Sequence, residues 1–371
     1  MNVDSLELKD LTLEITRKCP LECLICSSNS NKSQKTLFTL SKLKSIIQNA
    51  IELGCESVAL SGGEPLIYPR ILDLCEYIKK EKDSINLSIY TCGNVIKNSS
   101  VKAIPIDLLS ELKDIGVDKL VFSIHGGDKI THEKTTRVEG SFTNLISSIS
   151  RAQKVGLNTE LHFVPTKLNY YSFLSIVKLA EKMEIPKISI LRFVQQGRGA
   201  LYKHLELNIH ESTKLRDALR YAATNSKVRL RVGAHYSCLG INSANCTAAL
   251  QKATVLPDGF VVPCPSMKEI WDDSDANLKN ASLSEIWFNS TVFKFVRDLV
   301  TKIPDSCSHC ERFSFCRGGC PAQRMIHKSI VDPLCLKNYR EILETPHTKQ
   351  TKQRPSSQVG TSWECFPILK S

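Results

Sequence analysis

Between residues 11 and 226 the chain repeats one unit, a short β-rich run followed by an amphipathic stretch of 10 to 18 residues. The runs read LTLEIT (11–16), SVALSG (57–62), NLSIYTC (86–92), KLVFSIHG (119–126), NTELHFVP (158–165) and KISILRFV (187–194). Between the first two, residues 41–54 put Leu43, Ile46, Ile47, Ala50 and Ile51 at helical spacing and stop at Gly54; residues 141–156 again end in glycine. Six right-handed βα units in succession wind into a curved parallel sheet with its helices outside. The expected class is α/β, a partial (β/α)6 TIM-like barrel whose functional side chains gather at the C-terminal ends of the strands.

After RLRVGAHYSC (229–238) the periodicity changes, helical stretches shorten, and cysteine, proline and glycine become frequent. A chain of 371 residues has room for one large domain and a smaller one. The expected division is a barrel over residues 1–230, a cysteine-rich domain over 231–340 and a flexible tail over 341–371, the tail being polar, basic and poor in apolar residues.

The 49 Lys and Arg outnumber the 38 Asp and Glu, and the resulting +11 suits carboxylates, phosphates or an acidic peptide. The basic residues form no run and no stripe interleaved with aromatics, so nucleic acid is unsupported as a partner. No secretory signal and no membrane-spanning apolar run is visible, and a cytoplasmic protein is expected. In that reducing setting the 15 cysteines read as metal or redox ligands rather than disulfides. They group as Cys19, Cys23 and Cys26, then Cys238, Cys246 and Cys264, then Cys307, Cys310, Cys316, Cys320 and Cys335; Cys55, Cys75, Cys92 and Cys365 stand apart, with Cys55 and Cys75 expected in the core.

Cys19, Cys23 and Cys26 follow the first strand with C-x3-C-x2-C spacing. Three thiolates on so short a loop suit three irons of a 4Fe–4S cube, leaving the fourth iron open for chemistry. Zinc, which favours four protein ligands in a structural site, is the alternative. The spacing, its place after strand one and SGGEP after strand two resemble the radical SAM superfamily. That resemblance implies that S-adenosylmethionine chelates the open iron and is split by one electron to a 5′-deoxyadenosyl radical, with Cys19, Cys23 and Cys26 holding the cluster. It also implies that Gly62, Gly63, Glu64 and Pro65 receive the methionine amino group, the glycines letting backbone approach without a Cβ. Thr91 and Asn94 in YTCGN, where Cys92 stands in place of the asparagine of the family's T-N-G, are candidates for a ribose or carboxylate. Ser123 is implied near the methionine carboxylate, His125 is a candidate catalytic residue or a structural histidine, and Arg192 and Arg198 are candidate carboxylate ligands or surface arginines.

Downstream, Cys246 and Cys264 flank C-x12-G-x4-C spacing through Gly259, followed by CSHCERFSFCRGGC and Cys335, and VLPDGFVVPC reads as a hairpin with an Asp-Gly turn. The seven cysteines and the glycine resemble the SPASM domain of radical SAM enzymes. The resemblance implies two auxiliary 4Fe–4S clusters, making three in all: one on Cys246, Cys264 and Cys320, with Cys238 as an upstream fourth ligand, and one on Cys307, Cys310, Cys316 and Cys335. A pair of structural zinc sites is the alternative reading of this half.

The resemblance implies an oxidoreductase and leaves the substrate open. Only 18 residues precede Cys19, too few for a leader-peptide recognition domain, so a peptide substrate is expected to use a groove or a separate leader-binding protein. Cys264 is followed by Pro265 and Ser266 rather than the aspartate of sulfatase-maturing members, which counts against that activity. The leading expectation is hydrogen abstraction from a peptide or protein residue, with electrons supplied by a flavodoxin or ferredoxin. A small carboxylate-rich, tetrapyrrole-like substrate is the second, and a zinc-stabilised binding protein the rival from another class.

Overall fold

Alternation divides the first strand into two faces: Leu11, Leu13 and Ile15 are buried among the helices, while Thr12, Glu14 and Thr16 face the other way. The same division runs through the sheet. In the computed structural model, which describes residues 6–241, 246–269, 274–302 and 304–336, all six expected strands are present. They are β1 (Asp10–Thr16), β2 (Ser57–Gly62), β3 (Asn86–Thr91), β6 (Lys119–Ile124), β7 (Asn158–Phe163) and β8 (Lys187–Ile190), with the short hairpin strands β4 (Asn94–Lys97) and β5 (Ser100–Ala103) inserted after β3. Three further strands follow: β9 (Arg229–Val232), β10 (Lys252–Val255) and β11 (Val261–Val262). The main sheet has the order β11-β10-β1-β2-β3-β6-β7-β8-β9 and is parallel except for β11. Its two edges do not pair among the described residues, so the barrel is open.

Helices α1 (Leu40–Glu52), α2 (Ile71–Glu81), α3 (Ile106–Asp114), α4 (Lys129–Thr136), α5 (Ser141–Lys154), α6 (Phe173–Lys182) and α7 (Ile209–Asn225) connect the strands of the barrel. The expected face of α1 is the buried one, through Leu43, Ile46, Ile47 and Ala50, and Thr39 caps its start by accepting from the Lys42 N–H. With the helices on the apolar face, the inner face is left polar: Ser61, Ser88, Tyr90, Ser123, Glu160, His162, Ser189 and Arg231 share it by strand parity.

Two features were not legible in advance. β9 straddles residue 230, so the sheet runs past the point where the periodicity changes; its exposed Arg229 and Arg231 mark an edge strand and blur the apolar pattern. The β4–β5 hairpin turns at Asn98 and Ser99, both at positive φ, a two-residue turn in a segment with no glycine to announce it.

The second half is built onto the first rather than hung from it. β10 adds in parallel to β1, and the expected hairpin to β11 closes through the Leu256 N–H to Phe260 O bond of 2.8 Å with Gly259 at φ 96°. Helices α8 (Leu283–Asn289) and α9 (Thr291–Thr301) bury Trp287 and Phe293 in the same core that holds Leu43 and Leu13. The short α10 (Phe313–Cys316) ends on Cys316, and Cys320 stands at the N-cap of α11 (Pro321–Ile326). No helix among the described residues is long and apolar enough to cross a membrane. The expected tail and Cys365 lie outside the described residues.

Arg192, at the exit of β8, is locked to this half. Its Nη1 donates to both carboxylate oxygens of Asp332 at 2.7 and 2.9 Å, and both side chains are buried. Asp332 also accepts from the backbone N–H groups of Cys320 (3.0 Å) and Leu334 (2.9 Å). Removing one partner of a buried pair leaves an uncompensated charge. Asp332→Ala is expected to cost about 3 kcal/mol or more, read as a lower thermal midpoint of the full chain; a midpoint equal to the unaltered protein's would contradict this role.

Candidate functional site

The cysteine loop leaves β1 at Thr16 and is tied down at several points. The Cys19 N–H donates to Asn31 O (3.0 Å), Glu22 N–H to Thr136 O (3.2 Å) and Leu24 N–H to Thr135 O (3.0 Å), the last two at the end of α4. Arg198 closes it from the β8 side: its backbone N–H donates to Cys26 O at 2.9 Å, its Nη1 to Cys23 O at 2.9 Å and its Nη2 to Ser30 O at 2.7 Å. Of the two expectations for Arg198, carboxylate ligand or surface arginine, the geometry gives neither; it is the brace of the loop. Burial pushes the Cys23 thiol well above its ordinary value, with Cys19 and Cys26 adding to the shift and Arg198 opposing it. The loop thus brings its three thiols within electrostatic reach of one another.

The glycines of SGGEP are required by the packing of the backbone itself. A Cβ on Gly62 would lie 2.4 Å from Thr16 O, and one on Gly63 2.1 Å from Lys18 O. The space is filled by the backbone leading into the cysteine loop, which bonds back through Gly63 N–H to Thr16 O (2.7 Å) and Glu64 N–H to Lys18 O (2.8 Å). Glu64 is fully buried and accepts from Thr91 Oγ1 (2.9 Å), the Cys92 N–H (2.7 Å) and the Leu66 N–H (3.0 Å). Burial raises its pKa, and these donors offset only part of that rise. Its carboxylate therefore joins the ends of β2 and β3, with Pro65 opening a short 3-10 turn beside it.

Asn94 is buried at the start of β4, donates through Nδ2 to Cys92 O and Ser141 O at 2.9 and 3.2 Å, and leaves Oδ1 with no partner. Cys92 itself sits against Cys19 and Glu64, and burial pushes its thiol well up. Ser123 lies half-buried on the inner face, in register with His162, Ser189 and Arg231 on successive strands. His125 is buried next to His132, whose Nδ1 accepts the His125 N–H at 3.2 Å, and His125 Nδ1 has no partner. Arg192 is not brought to this loop, being engaged by Asp332 and Glu206.

The later cysteines fall into two sets. Cys246 and Cys264 lie beside one another and beside Cys320, with burial raising the thiols of Cys246 and Cys320, and Cys307 and Cys316 share Cys335 as neighbour, with Cys310 also beside Cys307. The thiols that weigh on buried Cys238 are Cys316 and Cys335, so it leans toward the second set rather than the first. None of the described cysteines is in a disulfide, and no three His, Cys, Asp or Glu among the described residues close on one point as ligands of a single ion do.

Residues 13–181 match the family model described as the radical SAM superfamily, and residues 246–311 match SPASM, an iron-sulfur cluster-binding domain. The chain thus carries a radical SAM domain followed by a SPASM domain. It is 25% identical over 349 residues to a PqqA peptide cyclase of Gluconobacter oxydans, covering 90% of this chain and 92% of that one. It is 27% identical over 237 residues to a probable GTP 3′,8-cyclase of Sulfolobus acidocaldarius, covering 62% of this chain and 70% of that one. In fold it resembles Streptococcus suis SuiB bound to its precursor peptide SuiA, with a TM-score of 0.71 at 20% identity over 89% of this chain and 76% of that one. It also resembles anSMEcpe with bound AdoMet, with a TM-score of 0.66 at 18% identity over 90% and 96%.

Sequence reading of this radical SAM enzyme missed Glu14, His162, Arg231 and Lys268. The first three had a signal, since each is a charged or titratable residue at an inner-face position of a strand. His162 stacks edge-on to Tyr90 at 5.7 Å, and its Nε2 is buried with no partner. Burial holds the imidazoles of His132 and His162 at about 4, and His125 well below its usual 6.5. The unfolded chain takes up protons near 6.5 that the fold refuses until about 4, so the contribution of these groups is intact above 6.5 and is lost as pH falls toward 4. His162→Gln is expected to flatten the fall of the thermal midpoint across that window; an unaltered slope would contradict the assignment.

Proposed function

We propose that this radical SAM/SPASM enzyme abstracts hydrogen from a residue of a peptide or protein and acts as a maturase. The observation that carries the reading is the joining of the three-cysteine loop to Gly63 and Glu64 by backbone bonds, which sets the thiols beside the SGGEP turn. The peptide substrate is supported by the PqqA peptide cyclase relative, whose similarity runs through both halves of the chain. A cluster on Cys19, Cys23 and Cys26 with S-adenosylmethionine supplies, when bound, one-electron cleavage to a 5′-deoxyadenosyl radical. The chain's own part is to hold and exclude. Arg198 fixes the loop carbonyls, Glu64 fixes the turn through Thr91 and Cys92, and the unpartnered Asn94 Oδ1 is a buried acceptor suited to a donor group of S-adenosylmethionine.

In this reading the barrel runs through β9, just past residue 230, the SPASM domain follows to residue 340, and residues 341–371 form a tail. Two auxiliary clusters sit on the cysteines of the second half, Cys238 serving one of them. A flavodoxin or ferredoxin supplies electrons, and a separate leader-binding protein presents the peptide in the cytoplasm. A small carboxylate-rich substrate is the second reading. It is favoured by Arg231, an exposed guanidinium on the inner face that makes no hydrogen bond or ion pair to the described residues.

Anaerobic reconstitution is expected to load about twelve irons per chain, with 5′-deoxyadenosine released on adding S-adenosylmethionine and dithionite. Cys23→Ala is expected to abolish that release while leaving about eight irons in place. Cys307→Ala should lower the iron count with the three-cysteine site intact. Zinc in place of iron, with no deoxyadenosine, would mean a zinc-stabilised binding protein instead. Mass change in a candidate peptide, against none in a carboxylate-rich small molecule, separates the two substrate readings.

A further inference from the structure

Lys268 is four residues beyond Cys264, and its side chain is only 6% exposed. Its Nζ donates to Ser27 Oγ at 2.8 Å and Ser28 Oγ at 2.7 Å and pairs with Glu14, whose side chain is 5% exposed on the inner face of β1. Ser28 Oγ in turn reaches both Glu14 oxygens at 3.2 and 3.1 Å. Ser27 and Ser28 are the two residues that follow Cys26. An ammonium has three donors, and here all three are taken, so Lys268 has none left for a substrate.

The loop bearing Lys268 is itself clamped. Gln196 accepts the Lys268 N–H through Oε1 at 3.0 Å and donates through Nε2 to Pro265 O at 2.7 Å. The next residue, Gly197, lies so close to the cysteine loop that a Cβ there would be 2.6 Å from Cys26 O. Three loops from distant parts of the chain therefore meet on the turn after Cys26. A buried ion pair is often no more stabilising than apolar residues of the same volume, so stability alone gives a weak reason to keep one here. A cluster's reduction potential, by contrast, responds to nearby charge and hydrogen bonding.

We propose that Lys268 is a positioning residue of the S-adenosylmethionine-cleaving site. Its buried ammonium, delivered by the loop that carries Cys264, pins Ser27 and Ser28 against Glu14, seats Cys26 and sets the charge around the cluster that Cys26 holds. The inference rests on reading Cys19, Cys23 and Cys26 as that cluster's ligands. It makes the barrel's site complete only with the SPASM half folded onto it.

The test uses the full chain, reconstituted anaerobically, with the electron paramagnetic resonance signal that changes on adding S-adenosylmethionine followed through a redox titration. Lys268→Met is expected to move the midpoint potential of that signal down and Glu14→Gln to move it up, since one removes a positive and the other a negative charge. A tie that only holds the fold would lower the thermal midpoint of both variants without shifts of opposite sign, and potentials unchanged in folded variants overturn the proposal. If either single variant fails to fold, Lys268→Arg, which keeps the charge, is compared with the double variant E14Q/K268M, which has none. The proposal then expects the arginine form to keep the responsive signal and the double form to lose most of it at equal auxiliary iron; equal signals overturn it. Absence of the responsive signal from the unaltered protein overturns the cluster reading and this inference together, whereas its presence there with unmoved variants overturns this inference alone.

Discussion

The chemistry of this chain depends on one close approach, that of the backbone leaving β1 to the backbone leaving β2. Thr16 to Lys18 pass over Gly62 and Gly63 with no room for a side chain between them, and two backbone hydrogen bonds hold the crossing. The cysteine loop begins on one side of that crossing and Glu64 on the other. Glu64 then carries the constraint to β3 through Thr91 and Cys92, and the end of α4 carries it to the cysteine loop again through Thr135 and Thr136. The donor set is rigid because its loop is bonded at both ends and along its length, not because the loop is short.

A second consequence follows from where the helices lie. Packing them against the apolar sheet face leaves a polar inner face, open at the top and lined by Tyr90, Ser123, His162 and Arg231. Buried histidines held neutral line this wall, and Arg231, two strands from His162 in the same register row, adds a positive charge to it. The second half is not an appendage to this chamber. It contributes β10 to the sheet, Asp332 to Arg192 and Lys268 to the turn after Cys26.

Much of this was legible in advance, for identifiable reasons. Period-two alternation in LTLEIT and helical spacing in residues 41–54 are local signals, and both elements formed within two residues of expectation. The cysteine spacings were legible because ligands of one centre must lie close along a tight loop. Less visible was what the charged residues would do. Arg192 and Arg198 both follow the end of β8, where ligands are expected, yet one is spent on Asp332 and the other on backbone carbonyls. Nothing local distinguishes an arginine that binds a ligand from one that binds its own chain, since the partners lie 140 and 168 to 175 residues away.

The sequence by itself determined the α/β class, the presence of radical SAM and SPASM domains and the positions of the cysteines, because strand period, helix period and loop spacing are properties of neighbouring residues. Tertiary structure alone decided that Gly62 and Gly63 make room for backbone, that Cys238 leans toward Cys316 and Cys335, and that Lys268 reaches Glu14 across 254 positions. Those are matters of which distant surfaces are pressed together when the core closes, and side chains far apart in the chain acquire their partners, burial and charge only at that step.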